Sequence, residues 1–153
     1  LFPYTTLFRS DECFYAWKGG NSFLNEIQIR VSDTDNMSQA FIGLDLPYNA
    51  GDYKPVVNHL MDSLYGKVSS VRINGSAAMS MCYVAAGRFD AWAEAYIKPW
   101  DFMAGALIVL QAGGAVTNFT GSSLFRKGHD ILASNSLLHN DMLELLAPFN
   151  DFL

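Results

Sequence analysis

The chain has 153 residues, 50% hydrophobic, 14% aromatic and only 16% charged, which is about one domain and excludes a disordered tail, a collagen repeat or a coiled coil. Ten basic against fifteen acidic residues leave a net charge of −5, the wrong sign for a broad nucleic-acid surface. No run reaches the roughly 18 uncharged apolar residues of a membrane helix, and two distant cysteines, Cys13 and Cys82, fit a reduced, cytoplasmic compartment.

In chain order, Leu1 to Ser10 reads LFPYTTLFRS. One reading frame of a common sequencing-library adapter translates to the string Pro3–Ser10. Residues 1–10 are therefore read as an adapter artefact and set aside, with the natural protein expected to begin upstream of Asp11. Cys13–Ala16 and Phe23–Leu24 flank a Gly-rich turn, a hairpin signal. Ile27, Ile29 and Val31 alternate with Gln28, Arg30 and Ser32, the period of a half-buried strand. Ala40–Leu46 predicts a buried strand stopped by Pro47. From Tyr53 to Ser69, Val56, Leu60, Met61 and Leu64 fall along one stripe at helical spacing. Gly75–Ala86, small and apolar, predicts a buried helix ended by Gly87. Phe89–Ile97 predicts a strand, and Pro99, harmless in a first turn, opens a helix to Gln111. Ala115–Phe119 and Ile131–Ala133 predict strands, followed by an amphipathic helix over Leu137–Ala147 capped by Asn135 or Ser136. The alternation implies a layered α/β architecture.

Three segments carry possible chemistry. Asp101 stands in the first turn of a predicted helix, where the dipole favours a carboxylate and where an oxygen ligand for a hard cation such as Mg²⁺ could sit. Asn74-Gly75-Ser76-Ala77-Ala78 turns into a helix whose opening N–H groups could meet a phosphate or a sugar hydroxyl. Glu94 lies seven residues before Asp101, on the strand leading to that helix; two carboxylates at such a corner suit a metal or a hydroxyl. The plainer readings are a helix-starting acid, an ordinary Gly-Ser turn, and a solvated Glu beside an Arg88–Asp90 surface pair. No P-loop, GxGxxG, GxSxG or HExxH string is present. His59, His129 and His139 have no metal spacing. Cys82 reads as a core residue.

GSAAMSMCYVAAGRFDAWAE (Gly75–Glu94) followed by KPWDFMAGALIVLQAGGAVTNFTG (Lys98–Gly121) resembles the C-terminal half of the inositol monophosphatase family. The string WD…AGALIV…AGG…T…G is that family's C-terminal signature, with the motifs in family order and spacing. The likeness extends over nearly all of Asp11 to Leu146.

The resemblance implies the C-terminal portion of a layered α-β-α-β-α sandwich, with residues 11–153 forming part of a sugar-phosphatase domain. It implies that Asp101 is a catalytic Mg²⁺ ligand, that Glu94 accepts a hydrogen bond from a ring hydroxyl, and that Gly75, Ser76 and Ala77 line the substrate pocket. The chemistry implied is attack of a metal-activated water on a phosphate monoester, inhibited by lithium, in a homodimer without nucleic-acid or membrane partners. A helix Glu and a WxxDPxDGTxNF-like stretch, which supply the family's other metal carboxylates, do not occur in this sequence. Gln111 stands where many members carry Glu. The chain is accordingly read as part of a Mg²⁺-dependent inositol-1-phosphate phosphatase. The alternatives are a relative acting on histidinol phosphate, fructose bisphosphate or phosphoadenosine phosphate, or a non-catalytic dimerisation or binding half-domain.

Overall fold

Two sheets and four helices stack alternately in the computed structural model, which describes residues 11–46, 50–123 and 129–149. The adapter-like segment 1–10 and Pro47 lie outside the described residues. A meander of three short antiparallel strands comes first: β1 (Phe14–Ala16), β2 (Ser22–Leu24) and β3 (Ile27–Ile29). A five-stranded mixed sheet follows, built from β4 (Phe41–Leu44), β5 (Ser70–Arg72), β6 (Ala91–Ile97), β7 (Ala115–Thr117) and β8 (His129–Ser134) in the order β5-β4-β6-β8-β7. β4 runs parallel to both β5 and β6, while β8 is antiparallel to β6 and β7.

The helices fill two layers. α2 (Ala77–Ala85) and α3 (Pro99–Gln111) lie between the sheets, and α1 (Ala50–Leu64) and α4 (His139–Leu146) cover the far face of the five-stranded sheet. α2 is apolar on most of its circumference because it is largely buried, whereas α3 buries Phe102, Ala106, Ile108 and Val109 and leaves apolar Trp100, Met103 and Leu110 exposed on its other side. One core joins Phe14, Leu24 and Ile29 of the small sheet to Met81, Val84, Phe102, Val109 and Trp92. The other joins Ile42, Ala93 and Leu132 to Leu60, Leu64, Met142 and Leu146. Strand β6 serves both: Ala91, Ala93 and Ala95 face the outer helices while Trp92 faces the inner ones, the period-two alternation of a strand buried on both sides. Gly105 lets α2 and α3 approach closely, since a Cβ there would come within 2.8 Å of the Met81 Cβ.

Three expectations need correction. The helix expected over Tyr53–Ser69 occupies Ala50–Leu64. Gly66, at φ +77°, ends it in a left-handed turn in which the Lys67 and Val68 N–H groups donate to the Leu64 carbonyl. That early stop frees Ser70–Arg72 to pair with β4, a strand the apolar pattern did not mark. Arg88 and Asp90 are not a surface pair. Arg88 holds Glu12 through its two terminal guanidinium nitrogens, Nη1 and Nη2, and Asp90 is buried, accepting the Ser32 hydroxyl and, at 2.7 Å, the Phe41 N–H. Finally, the helix expected over Leu137–Ala147 occupies His139–Leu146; its entry is held by Asn135, one of the two expected capping residues, whose Oδ1 accepts the Leu138 N–H at 3.1 Å.

Candidate functional site

β4, β5 and β6 all end at the same edge of the sheet. From β4 the chain passes to α1 on one face, and from β5 to α2 on the other. Ligand crevices of open α/β sheets lie outside the carboxyl ends of strands at such a reversal. Here the edge holds a cavity of about 360 Å³ lined by Asp45, Gly75, Ser76, Ala77, Glu94 and Asp101, among others. All five residues singled out in the sequence meet in this one cavity, although Gly75 and Asp101 stand 26 positions apart.

Each is placed by a local device. Gly75 adopts φ +72°, open to glycine without penalty, and turns the chain into α2. Ser76 caps that helix, its hydroxyl accepting the Met79 N–H at 3.4 Å. Ala77 is the first helical residue. Glu94 lies on β6 two positions after Trp92, hence on the same face, toward the inner helices. Strict alternation would next send Tyr96 to that face. Instead the ladder with β8 shifts between Ala95 and Ile97, and Tyr96 sits at φ +61°. This bulge returns Ile97 to the cavity and directs the chain into α3. Pro99 then occupies the first position of α3, and Asp101 the first turn. The Asp101 side chain is exposed and makes no side-chain hydrogen bond to the described residues.

Asp45, which belongs to none of the three segments marked in the sequence, also lines the cavity. It is 5% exposed, and its oxygens accept four hydrogen bonds: from the Asn74 N–H (3.1 Å) and Gly75 N–H (2.6 Å), and from the Ser80 hydroxyl (3.1 Å) and Trp92 Nε1–H (2.9 Å). A charged residue inside the otherwise apolar run Ala40–Leu46 was the available signal. Burial, followed by the nearby charges of Asp45 and Asp101, pushes Glu94 up to about 7. Near neutrality its carboxyl is therefore divided between a hydroxyl-donating and an accepting form.

No group of three or more His, Cys, Asp or Glu side chains that could hold a metal occurs among the described residues. Glu94 and Asp101 nonetheless present carboxylate oxygens to one cavity. Carboxylate oxygens are donors that suit Mg²⁺, and of the two the exposed Asp101 is the one placed to hold the ion, together with phosphate oxygens and waters, while Glu94 is half-buried. Cys82, on the floor of a smaller neighbouring groove shared with Trp100 and Asp101, is no nucleophile: burial pushes its thiol to about 12. His139 is a satisfied interior histidine between Thr117 and Ser134, and the half-buried His59 meets the Leu145 carbonyl. Gln111 accepts the Gly19 N–H at 2.9 Å, tying the β1–β2 turn to α3.

Residues 3–149 match the family model described as the inositol monophosphatase family. The Nus factor SuhB of Pseudomonas aeruginosa is 38% identical over 140 residues, covering 90% of this chain and 51% of that protein. Among solved structures, the extragenic suppressor protein suhB of Bartonella henselae superposes with a TM-score of 0.84 at 31% identity, over 90% of this chain and 52% of the other. A staphylococcal IMPase-II with inositol monophosphate bound superposes with a TM-score of 0.79 at 27% identity, over 94% and 56%. The chain thus spans about half the length of the relatives it matches.

Proposed function

The chain belongs to the inositol monophosphatase family, and from that membership we propose that it supplies the substrate-pocket half of a Mg²⁺-dependent phosphatase acting on inositol-1-phosphate. The observation that carries the reading is the convergence of Gly75, Ser76, Ala77, Glu94 and Asp101 on one cavity where two helices begin. A structural relative binding inositol monophosphate supports the choice of substrate.

The residues divide the work. The openings of α2 and α3 give the cavity two helix N-termini, a favourable setting for a phosphate dianion. Glu94, when ionised, accepts a hydrogen bond from a ring hydroxyl; the Gly75–Ala77 turn shapes the wall against which the ring lies. Asp101 would hold Mg²⁺ by one carboxylate oxygen. Bound there with the ligands of the rest of the protein, Mg²⁺ would lower the pKa of the attacking water and neutralise charge on the departing alkoxide. Inhibition by lithium and a homodimeric state belong to the same reading.

Phosphate release by the full-length protein carrying this chain tests it. The panel is inositol-1-phosphate, histidinol phosphate, fructose bisphosphate, phosphoadenosine phosphate and an aryl phosphate. Preference for inositol-1-phosphate is expected, and preference for another member of the panel would reassign the substrate. A second reading rests on the name of the Pseudomonas relative, Nus factor: a binding role in which the pocket does not turn over substrate. Absence of Mg²⁺-dependent hydrolysis across the whole panel would favour it.

A further inference from the structure

We propose that Asp45 is the positioning residue of this pocket: without touching the substrate, it fixes the Asn74–Gly75 turn and so sets the preference for a phosphate ester bearing ring hydroxyls. The inference rests on the phosphatase reading above. An ionised carboxylate offers about four lone-pair sites, and four donors occupy them. Asp45 therefore has no acceptor left for a ligand or an ion, although it lines the cavity. What it has is reach. It follows β4 and binds the turn after β5, the second turn of α2 through Ser80, and β6 through Trp92. Three of the elements that carry pocket residues are thereby tied to one group.

The turn needs this tie. Its two N–H groups precede α2 and have no helical partner, and Asn74 and Gly75 are exposed. Charge-assisted bonds from backbone N–H to carboxylate are among the stronger kinds. Trp92 is wholly buried, so the Asp45 carboxyl is itself held from the rigid core. Displacing the turn shifts Gly75, Ser76 and Ala77 together, and an ester that meets the wall through several hydroxyls loses more than one that offers only its phosphate.

Kinetics of the full-length protein carrying this chain, in saturating Mg²⁺, separate the outcomes. Asp45→Asn keeps the shape but turns an NH₂ toward donors. It is expected to raise KM for inositol-1-phosphate about tenfold with a smaller change in kcat, and to lower the ratio of kcat/KM for inositol-1-phosphate over p-nitrophenyl phosphate about tenfold. Ser80→Ala, which removes one donor and leaves the carboxylate, is expected to move that ratio the same way by about threefold, and it answers the question if Asp45→Asn does not fold. Equal losses on both substrates, following the fall in urea midpoint, would make Asp45 a structural anchor only and overturn the inference, as would an unchanged ratio in both variants. If the unsubstituted protein hydrolyses neither ester, the phosphatase reading itself fails and this inference falls with it.

Discussion

Glu94 is the residue whose chemistry is most altered by its surroundings. Its carboxyl rises from 4.5 to about 7, through burial first and the charges of Asp45 and Asp101 after it. Below pH 4.5 Glu94 is protonated whether the chain is folded or not. Between 4.5 and about 7 the unfolded chain releases this proton while the folded chain keeps it, so stability falls as pH rises through that window and levels off above it. Glu94→Gln cannot ionise and should lose less stability between pH 5 and pH 8 than the unsubstituted chain, as read by the urea midpoint; an identical loss in both would contradict the burial of this carboxyl. The same substitution bears on function. Deleting a charged acceptor costs about 1.5–3 kcal/mol where a ring hydroxyl is bound, so under the proposed function the full-length protein carrying Glu94→Gln should lose more turnover of inositol-1-phosphate than of an aryl phosphate. Equal losses would remove Glu94 from hydroxyl recognition. Among single residues the sequence marked Glu94, Asp101 and the Gly75 turn, because their types and spacing follow a family signature. It did not mark Asp45, whose significance lies in donors at positions 74, 75, 80 and 92, brought to it only by the sheet.

At the scale of elements, the contact between α2 and α3 decides how rigidly the cavity is framed, since one helix begins beside Gly75 and the other carries Asp101. Helix propensity alone favours Gly105→Ala by about 1 kcal/mol. The added methyl group, however, would come within 2.8 Å of the Met81 Cβ and 3.0 Å of its sulfur, and overpacking of this kind costs about 1–3 kcal/mol. A lower urea midpoint for Gly105→Ala is expected; an unchanged or higher one would show that the helices have room. Elements with strong local signals were legible in the sequence: α3 runs from Pro99 to Gln111 as the proline and the Gly113-Gly114 pair imply. β5 was not legible. Three residues following a turn carry no periodicity, and Ser70–Arg72 is a strand because β4 lies beside it. The bulge at Tyr96 was hidden for a similar reason: Phe89–Ile97 reads as an uninterrupted strand, and the shift appears only in its register with β8.

For the molecule as a whole, four layers alternate among the described residues, and the outer face of the small sheet carries aromatic side chains. Tyr15, Phe23 and Trp17 stack on the small sheet at ring separations of 5.3 and 5.4 Å; Trp17 is 54% and Trp100, on α3, 81% exposed. Met103 and Leu110 are exposed on the same helix as Trp100, and exposed apolar side chains grouped in this way bind partners or aggregate, so the 153-residue chain alone should enhance the fluorescence of an apolar-surface dye and self-associate in light scattering. A monodisperse monomer without dye binding would contradict this and favour an independent binding module. The layered α/β fold was legible from alternation and the family signature. Which helices lie between the sheets was not, because the apolar pattern of a helix does not say which sheet face it covers. The central claim, that Asp101 belongs to a Mg²⁺-dependent phosphatase site needing carboxylates absent from this sequence, has a direct test. Initial rates of inositol-1-phosphate hydrolysis are compared across a Mg²⁺ titration for three proteins: this chain, the chain joined to the N-terminal half of a relative, and the joined protein with Asp101→Asn. One carboxylate holds Mg²⁺ poorly against water. No activity is therefore expected from the chain alone, Mg²⁺-dependent activity from the joined protein, and its collapse in the folded Asp101→Asn variant; full activity in that variant, or hydrolysis by the chain alone, would contradict the assignment of Asp101.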